Sequence, residues 1–369
     1  MRSVLSLPFA LSLLAAASPA LAAQRQIVVD AAGGGDFLSL APAVAAALAG
    51  DTIVVRAGEY REPALDIDKG IAIVGLVGVR LIGNTILPPY LRVHDIPARQ
   101  TFAMRGFTAV GPFDGSYTID VQSCRGTVSL QAMQGLLAHL DIDCVSCSQV
   151  EMKNLTVAHL SVNDSNVVVQ RSAFENLGSP IVGSGELGLV RCSVTVQPGF
   201  FSSGPGLRWT SGRLTLTRSN VSAAQSGSAP APAVQVDSGT VVVDPTTVLV
   251  PWMGAPPIGG AATVQSREVA SLVADSSGTL LDVDLHGLRT SDYVVLLSRP
   301  TPILPTFAGA VWVSTDEHLV VAFGSFGSTR NATHRLAHAA VPAGFTTTLQ
   351  AVFFTDRLSV STASIVVFP

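Results

Sequence analysis

Three stretches of this chain align without a gap: SNVVVQRSAF (165–174), GELGLVRCSV (185–194) and GRLTLTRSNV (212–221). Each alternates apolar residues two apart, then places an Arg, a Ser or Cys, and an apolar residue three positions after the Arg. The arginines, Arg171, Arg191 and Arg218, are 20 and 27 residues apart by subtraction. Self-similarity at that period is the signature of a stacked repeat. The frame extends upstream through RGTVSLQAM (125–133) and SQVEMKNLTV (148–157), and downstream through GTVVVDPTTV (239–248). Ahead of these lie short strands with the same alternation: TIDVQ (118–122), HLDID (139–143), HLSVN (159–163) and AVQVD (233–237).

Two or three short strands per repeat, each with one inward and one outward set of side chains, describe a parallel β-helix. Parallel crossovers give it a right-handed coil. Neighbouring coils then lie about 4.8 Å apart, so equivalent side chains stack. This frame predicts inward stacks of Ile119, Leu140 and Leu160 and of Val121, Ile142 and Val162. The Arg171, Arg191 and Arg218 column reads as a turn or stacked surface feature.

The first residues, MRSVLSLPFALSLLAAASPALAA, combine one Arg, a short apolar run and a small-residue site at Ala20-Leu21-Ala22. They read as a secretory signal cleaved near Ala22, which places the protein outside the cell or at its surface. No later stretch is long and apolar enough for a membrane helix, so an integral membrane protein is not expected. With 13% charged residues and a formal net charge of −4, nucleic acid is excluded as a partner. An oxidising compartment makes Cys124, Cys144, Cys147 and Cys192 disulfide candidates, with buried thiols as the alternative.

Residues 27–78 carry Gly35-Asp36-Phe37, an amphipathic stretch from Leu38 to Leu48, Gly50-Asp51-Thr52-Ile53-Val54-Val55, and a turn with Gly58, Tyr60 and Glu62. This segment resembles the opening of pectin methylesterases and, more widely, the pectin lyase-like right-handed β-helix superfamily. The resemblance implies a capping helix that leads into the first coil. It covers about 50 residues of the cap. The methylesterase segments Gln-Asp-Thr-Leu, Asp-Phe-Ile-Phe-Gly and Gly-Arg-Pro-Trp do not occur in the chain. The resemblance therefore implies fold and not activity.

After a Pro- and Gly-rich stretch, PWMGAPPIGG, the runs YVVLLS, HLVVAF, TTLQAVFF and ASIVVFP lack the coil frame. They fit a small antiparallel β-sandwich similar to terminal modules of secreted bacterial proteins. The expected organisation is a signal at 1–22, a β-helix at 23–250, a linker at 251–267 and a β-sandwich at 268–369.

The outward residues of the first strands form a polar ladder: Thr118, Asp120 and Gln122; His139, Asp141 and Asp143; His159, Ser161 and Asn163. Stacking in this frame puts His139 by His159 and Asp120 by Asp141. Adjacent carboxylates split their pKa values and can supply an acid beside a base, which makes Asp120, Asp141 and Asp143 candidate catalytic residues. His139, His159, Gln122 and Asn163 are candidate substrate contacts. The oxygen-rich set could hold Ca²⁺, and the His pair a zinc-like ion. Arg105 and Arg125 are the nearest basic side chains in sequence, and Trp209, Trp252 and Tyr117 the nearby aromatics for stacking on sugar. Three readings stay open: a surface that binds extracellular polysaccharide, a lyase or hydrolase of acidic polysaccharide, and a rigid spacer. The first is favoured because the family's catalytic segments do not occur.

Overall fold

Period-two alternation along the chain builds three parallel sheets that share one interior. The computed structural model describes residues 25–368 apart from 84–88, 112–115, 136–139, 198–203, 226–228, 278, 307–308, 327–328, 339–340 and 355–357. The segment expected as a signal, and His139, lie outside the described residues. The fold is mostly β: a solenoid of about nine turns, one short helix and small antiparallel C-terminal sheets. The first face stacks Leu65–Ile67, Leu91–His94, Tyr117–Gln122, Leu140–Val145, 159–163, 181–183, 207–209, Val234–Val236 and Ile258–Gly260. The second runs from Gln26–Val29 through 127–131, Gln149–Lys153 and 167–170 to Thr263–Ser266. The third runs from Gly58–Glu62 to Val248–Val250.

The helix Leu40–Ala46 closes the open first coil and is shorter at both ends than the sequence pattern. Its N-cap residue, Ser39, makes no side-chain cap bond. Glu62 does that work instead: its carboxylate accepts the Leu40 N–H at 2.7 Å and the Ala41 N–H at 3.1 Å. A carboxylate there satisfies orphan donors and complements the helix dipole. Tyr60 donates its hydroxyl to the Arg56 carbonyl at 2.8 Å. The Gly-x-Tyr-x-Glu turn is thus a clasp between the third face and the cap.

Inside the solenoid, Val167, Leu187, Leu214 and Val241 form one column of buried residues. On the first face the inward stacks are Ile119, Ile142 and Leu160, and Val121, Cys144 and Val162. Leu140 pairs with Tyr117 instead. The expected stack was therefore displaced by two residues at 140–145. A two-residue slip keeps every side chain on its own side, so alternation alone does not fix it.

Two corners are built from left-handed residues: Asp95, Ser123, Ser146 and Asp164 between the first and second faces, and Asn154, Arg171, Arg191 and Arg218 between the second and third. Glycine is required at the stacked positions 185, 212 and 239. A Cβ on Gly212 would stand 2.1 Å from the Gly185 carbonyl oxygen, and one on Gly239 2.2 Å from that of Gly212.

The four cysteines are free thiols buried in the core, which corrects the disulfide expectation. The Cys124 thiol bonds the Gln122 carbonyl at 3.2 Å and that of Cys147 the Val145 carbonyl at 3.3 Å. Cys192 does the same with Val169 at 3.4 Å. All four act as small apolar fillers, and three of them also bond backbone carbonyls.

The C-terminal strands form two antiparallel sheets. One orders Ser271–Ser277, Leu280–His286 and Asn331–Ala337. The other pairs Gly309–Ser325, Asp292–Thr306, Thr346–Phe354 and Leu358–Val360, with Ser364–Val367 beside Thr346–Phe354. Leu272, Val283 and Leu285 from the first meet Val295, Leu349 and Phe353 from the second in one core, a sandwich arrangement. The segment expected as a linker is part of the solenoid: Ile258–Gly260 and Thr263–Ser266 add the last strands to the first and second faces. The glycines there let the chain follow the coil, so composition alone does not mark a linker.

This module lies on the second face. Val74 and Ala103 pack on Val367, and Val168 on Trp312, Ala363 and Ile365. Beside these contacts runs a polar column, Arg105, Gln131, Lys153 and Gln170, one residue per coil. Gln131 donates to the Ile365 carbonyl at 2.9 Å, and Lys153 to the Ala274 and Ile365 carbonyls at 2.6 and 2.8 Å. Gln170 donates to those of Leu272 and Ala363 at 3.2 and 2.8 Å. Arg105 bonds the Val367 carbonyl and, at 3.2 Å, that of Ser276. These side chains enter the seam between Ser271–Ser277 and Ser364–Val367, whose backbone groups would otherwise stay buried and unpaired.

Candidate functional site

With the second face occupied, the outward ladder of the first face remains partly open to solvent. Its central column reads Asp66, Arg92, Asp120, Asp143, Ser161, Val182, Arg208 and Gln235 on successive coils. Asp120 therefore neighbours Asp143, and Asp141 lies between Thr118 and His159. The expected Asp120–Asp141 stack is corrected by the two-residue displacement. Gln122 lies between His94 and Val145, and Asn163 follows Val145, so an apolar residue interrupts that flank.

The local chemistry is mixed. Gln122 donates to Asp120 Oδ2 at 2.6 Å, and Arg92 Nε stands 4.0 Å from the same oxygen. His94 is 3.2 Å from Asp66 and 3.0 Å from Asp95. Its pKa is raised, first by the hydrogen bond it donates to Asp95 and then by the Asp66 charge, against the opposing effect of burial. Burial pushes the Asp143 carboxyl up, and Asp120 and Asp141 push it the same way, while the His159 charge and the Ser161 hydroxyl pull it down. Asn163 donates to Ser161 Oγ at 3.4 Å.

Asp66, Arg92 and His94 extend the ladder beyond the residues singled out in sequence. Their strands, LDI and LRVH, carry the same alternation but no Arg-Ser marker. Arg105 belongs to the covered second face, and Arg125 is exposed at a corner rather than on the ladder. Trp209 and Tyr117 do not offer sugar platforms, since they are 0% and 2% exposed and turned into the core. Trp252 is partly buried, bridging to Ala231. Among the described residues no three His, Cys, Asp or Glu side chains converge on a metal position.

The arginine column is not a plain surface feature. Arg171 ion-pairs with Asp275 and Asp284 of the module, and Arg191 with Asp284 at 2.8 Å. Burial pushes the Asp284 carboxyl up, but the Arg191 bond and the Thr333 hydroxyl outweigh it and hold the pKa low. At the end of the solenoid, Arg330 Nη2 meets the fully buried Asp244 at 2.8 Å.

No family model matches this chain, and no curated protein matches it. Among solved structures, its β-solenoid is similar to the A-module of mannuronan C-5 epimerase AlgE6 of Azotobacter vinelandii. That similarity has 15% identity and a TM-score of 0.24, and covers 62% of this chain and 84% of the other. No residue role is carried over at that level.

Proposed function

We propose that the first face binds a hydroxyl-rich extracellular polysaccharide laid along the solenoid axis, with no covalent turnover. The observation that carries this reading is the register of the ladder: Arg92, Asp120, Asp143 and Ser161 present donors and acceptors on consecutive coils of the uncovered face. Rows of hydroxyls are matched by such alternating groups, and the strand spacing of about 4.8 Å is on the scale of one sugar unit. Asp66, Asp120, Asp141 and Asp143 outnumber Arg92 and Arg208 on this face, so a neutral polymer suits it better than a polyanion. The N-terminal segment fits delivery outside the cell.

A glycan array followed by calorimetry tests this reading. One neutral polysaccharide should bind, and Asp120→Asn with Asp143→Asn should weaken it about tenfold or more without loss of folding. Unchanged binding in that variant, or no binding across the array, would count against it.

A second reading rests on the paired carboxylates. Asp143, raised in pKa beside Asp120, has the character of a general acid next to a base. Release of reducing ends or unsaturated products from a polysaccharide panel, abolished in Asp143→Asn, would favour catalysis over binding alone.

A further inference from the structure

We propose that the corner cleft around Arg218 is a binding site for a carboxylate-bearing, hydroxyl-rich small molecule such as a sugar acid. The cleft, about 610 Å³, runs along the corner between the second and third faces beside the C-terminal module. Asn154, Arg171, Arg191 and Arg218 supply its wall on consecutive coils.

Those three arginines hold left-handed backbone, with φ of 47°, 56° and 50°. Arginine in that conformation carries a steric cost of about 1 kcal/mol, which Gly or Asn would largely avoid. Two of them have an evident return, since Arg171 and Arg191 take the module's Asp275 and Asp284. Arg218 does not. Among the described residues it makes no ion pair, and its one side-chain bond goes to the neutral Asn331 Oδ1 at 3.0 Å. Burial lowers its pKa first, with the Arg191 and Arg330 charges acting the same way and those of Asp284 and Asp244 opposing them.

The ligand class follows from what surrounds this cation. A guanidinium fork pairs a planar carboxylate through two parallel bonds. On the adjoining outward row of the third face, Thr156, Ala173, Ser193 and Asn220 are stacked in register and lie in the same cleft. Thr156, Ser193 and Asn220 are exposed and offer hydroxyl and amide groups to the polyol part of such a ligand. The cleft is on a different face from the carboxylate ladder and takes the opposite charge.

The test is calorimetric titration of the full chain with D-glucuronate, with D-glucose and inorganic sulfate as controls. Saturable binding of glucuronate is expected, weaker by about tenfold or more in Arg218→Gln. Glucose and sulfate should bind distinctly more weakly than glucuronate. Asn220→Asp provides an independent variant: it sets an internal carboxylate beside Arg218 and should also suppress glucuronate binding while the fold is retained. Absence of saturable glucuronate binding, equal binding of glucose or sulfate, or undiminished binding in the folded variants would overturn the proposal.

Discussion

Glu151 accepts the backbone N–H of Ile365 at 2.9 Å, a side chain of one domain completing the strand edge of the other. Its second oxygen takes Ser129 at 3.0 Å and Gln131 at 3.1 Å. Lys153, on the same strand, is 1% exposed and serves two carbonyls of the module. Lys153→Met keeps the packing volume but leaves those carbonyls without their donor and removes the positive charge 3.5 Å from Asp275 and near Glu151. Breaking a buried charged pair from one side costs about 3–5 kcal/mol, and a loss of that size is expected in urea unfolding. A change below about 1 kcal/mol would show that the seam is hydrated or loosely held.

Asp244 ties the last coils to the module through Arg330, and its oxygens also accept the Thr246 hydroxyl at 2.5 Å and the Val269 N–H at 2.7 Å. Burial alone would raise its pKa, but His286, Arg330, Thr246 and the Val269 N–H together lower it strongly. A carboxyl whose folded pKa is depressed stabilises the fold above its unfolded value, about 3.9, and that contribution fades as pH falls toward the folded value. Thermal unfolding measured at neutral pH and near pH 3 should show the wild type losing more stability on acidification than Asp244→Asn does. Parallel loss in both proteins would refute this account.

The arginine corner separates strain from clamping. Arg171→Asn eases the left-handed backbone but removes the contacts to Asp275 and Asp284, so a net destabilisation is expected. Arg218→Asn eases the same strain and forfeits only the bond to Asn331, so its stability should equal or slightly exceed the wild type's. Chemical denaturation of the two variants side by side reads the contrast, and a reversed order would contradict it.

Gly212→Ala should unfold the middle of the solenoid, because the new methyl would meet the Gly185 carbonyl oxygen at 2.1 Å on a backbone with φ of 100°. Failure to accumulate as folded protein, or a loss of more than about 3 kcal/mol, is the anticipated result. A protein as stable as wild type would mean that the corner can relax.

The free, buried thiols predict a simple labelling result. Native protein should react slowly with a thiol reagent, and denatured protein without reductant should take up four labels, one per cysteine. Uptake of fewer than four would reveal a bridge.

How far the sequence carried the fold is clearest on the first face. Ile119, Val121, Leu160 and Val162 are legible as inward residues because alternation defines sidedness, and they are buried in the core. Their neighbours at 140–145 were stacked two residues off, since a parity-preserving slip leaves no trace in the pattern. That slip decided which aspartate stands beside Asp120. The role of Arg171 and Arg191 was hidden for another reason: their partners, Asp275 and Asp284, are about a hundred residues away, and no local periodicity reports docking of one domain on another. Gln131, Glu151 and Lys153 are buried for the same reason: their cover is the module, which the repeat pattern does not report.

The seam has a consequence for how the two domains can diverge. Gln131, Lys153 and Gln170 address the main-chain carbonyls of Leu272, Ala274, Ala363 and Ile365, groups that every β-strand carries whatever its side chains. Residues 272–274, 363 and 365 are therefore free to change among side chains of similar size without erasing a single one of these bonds, whereas Ser364 also donates its hydroxyl to Gln170 at 3.0 Å. The solenoid has no such latitude, because its half of each bond is a particular amide or amine at one position. Substitutions should thus be tolerated unequally across this seam, unlike at the arginine corner, where the module's own Asp275 and Asp284 are particular side chains that docking also requires.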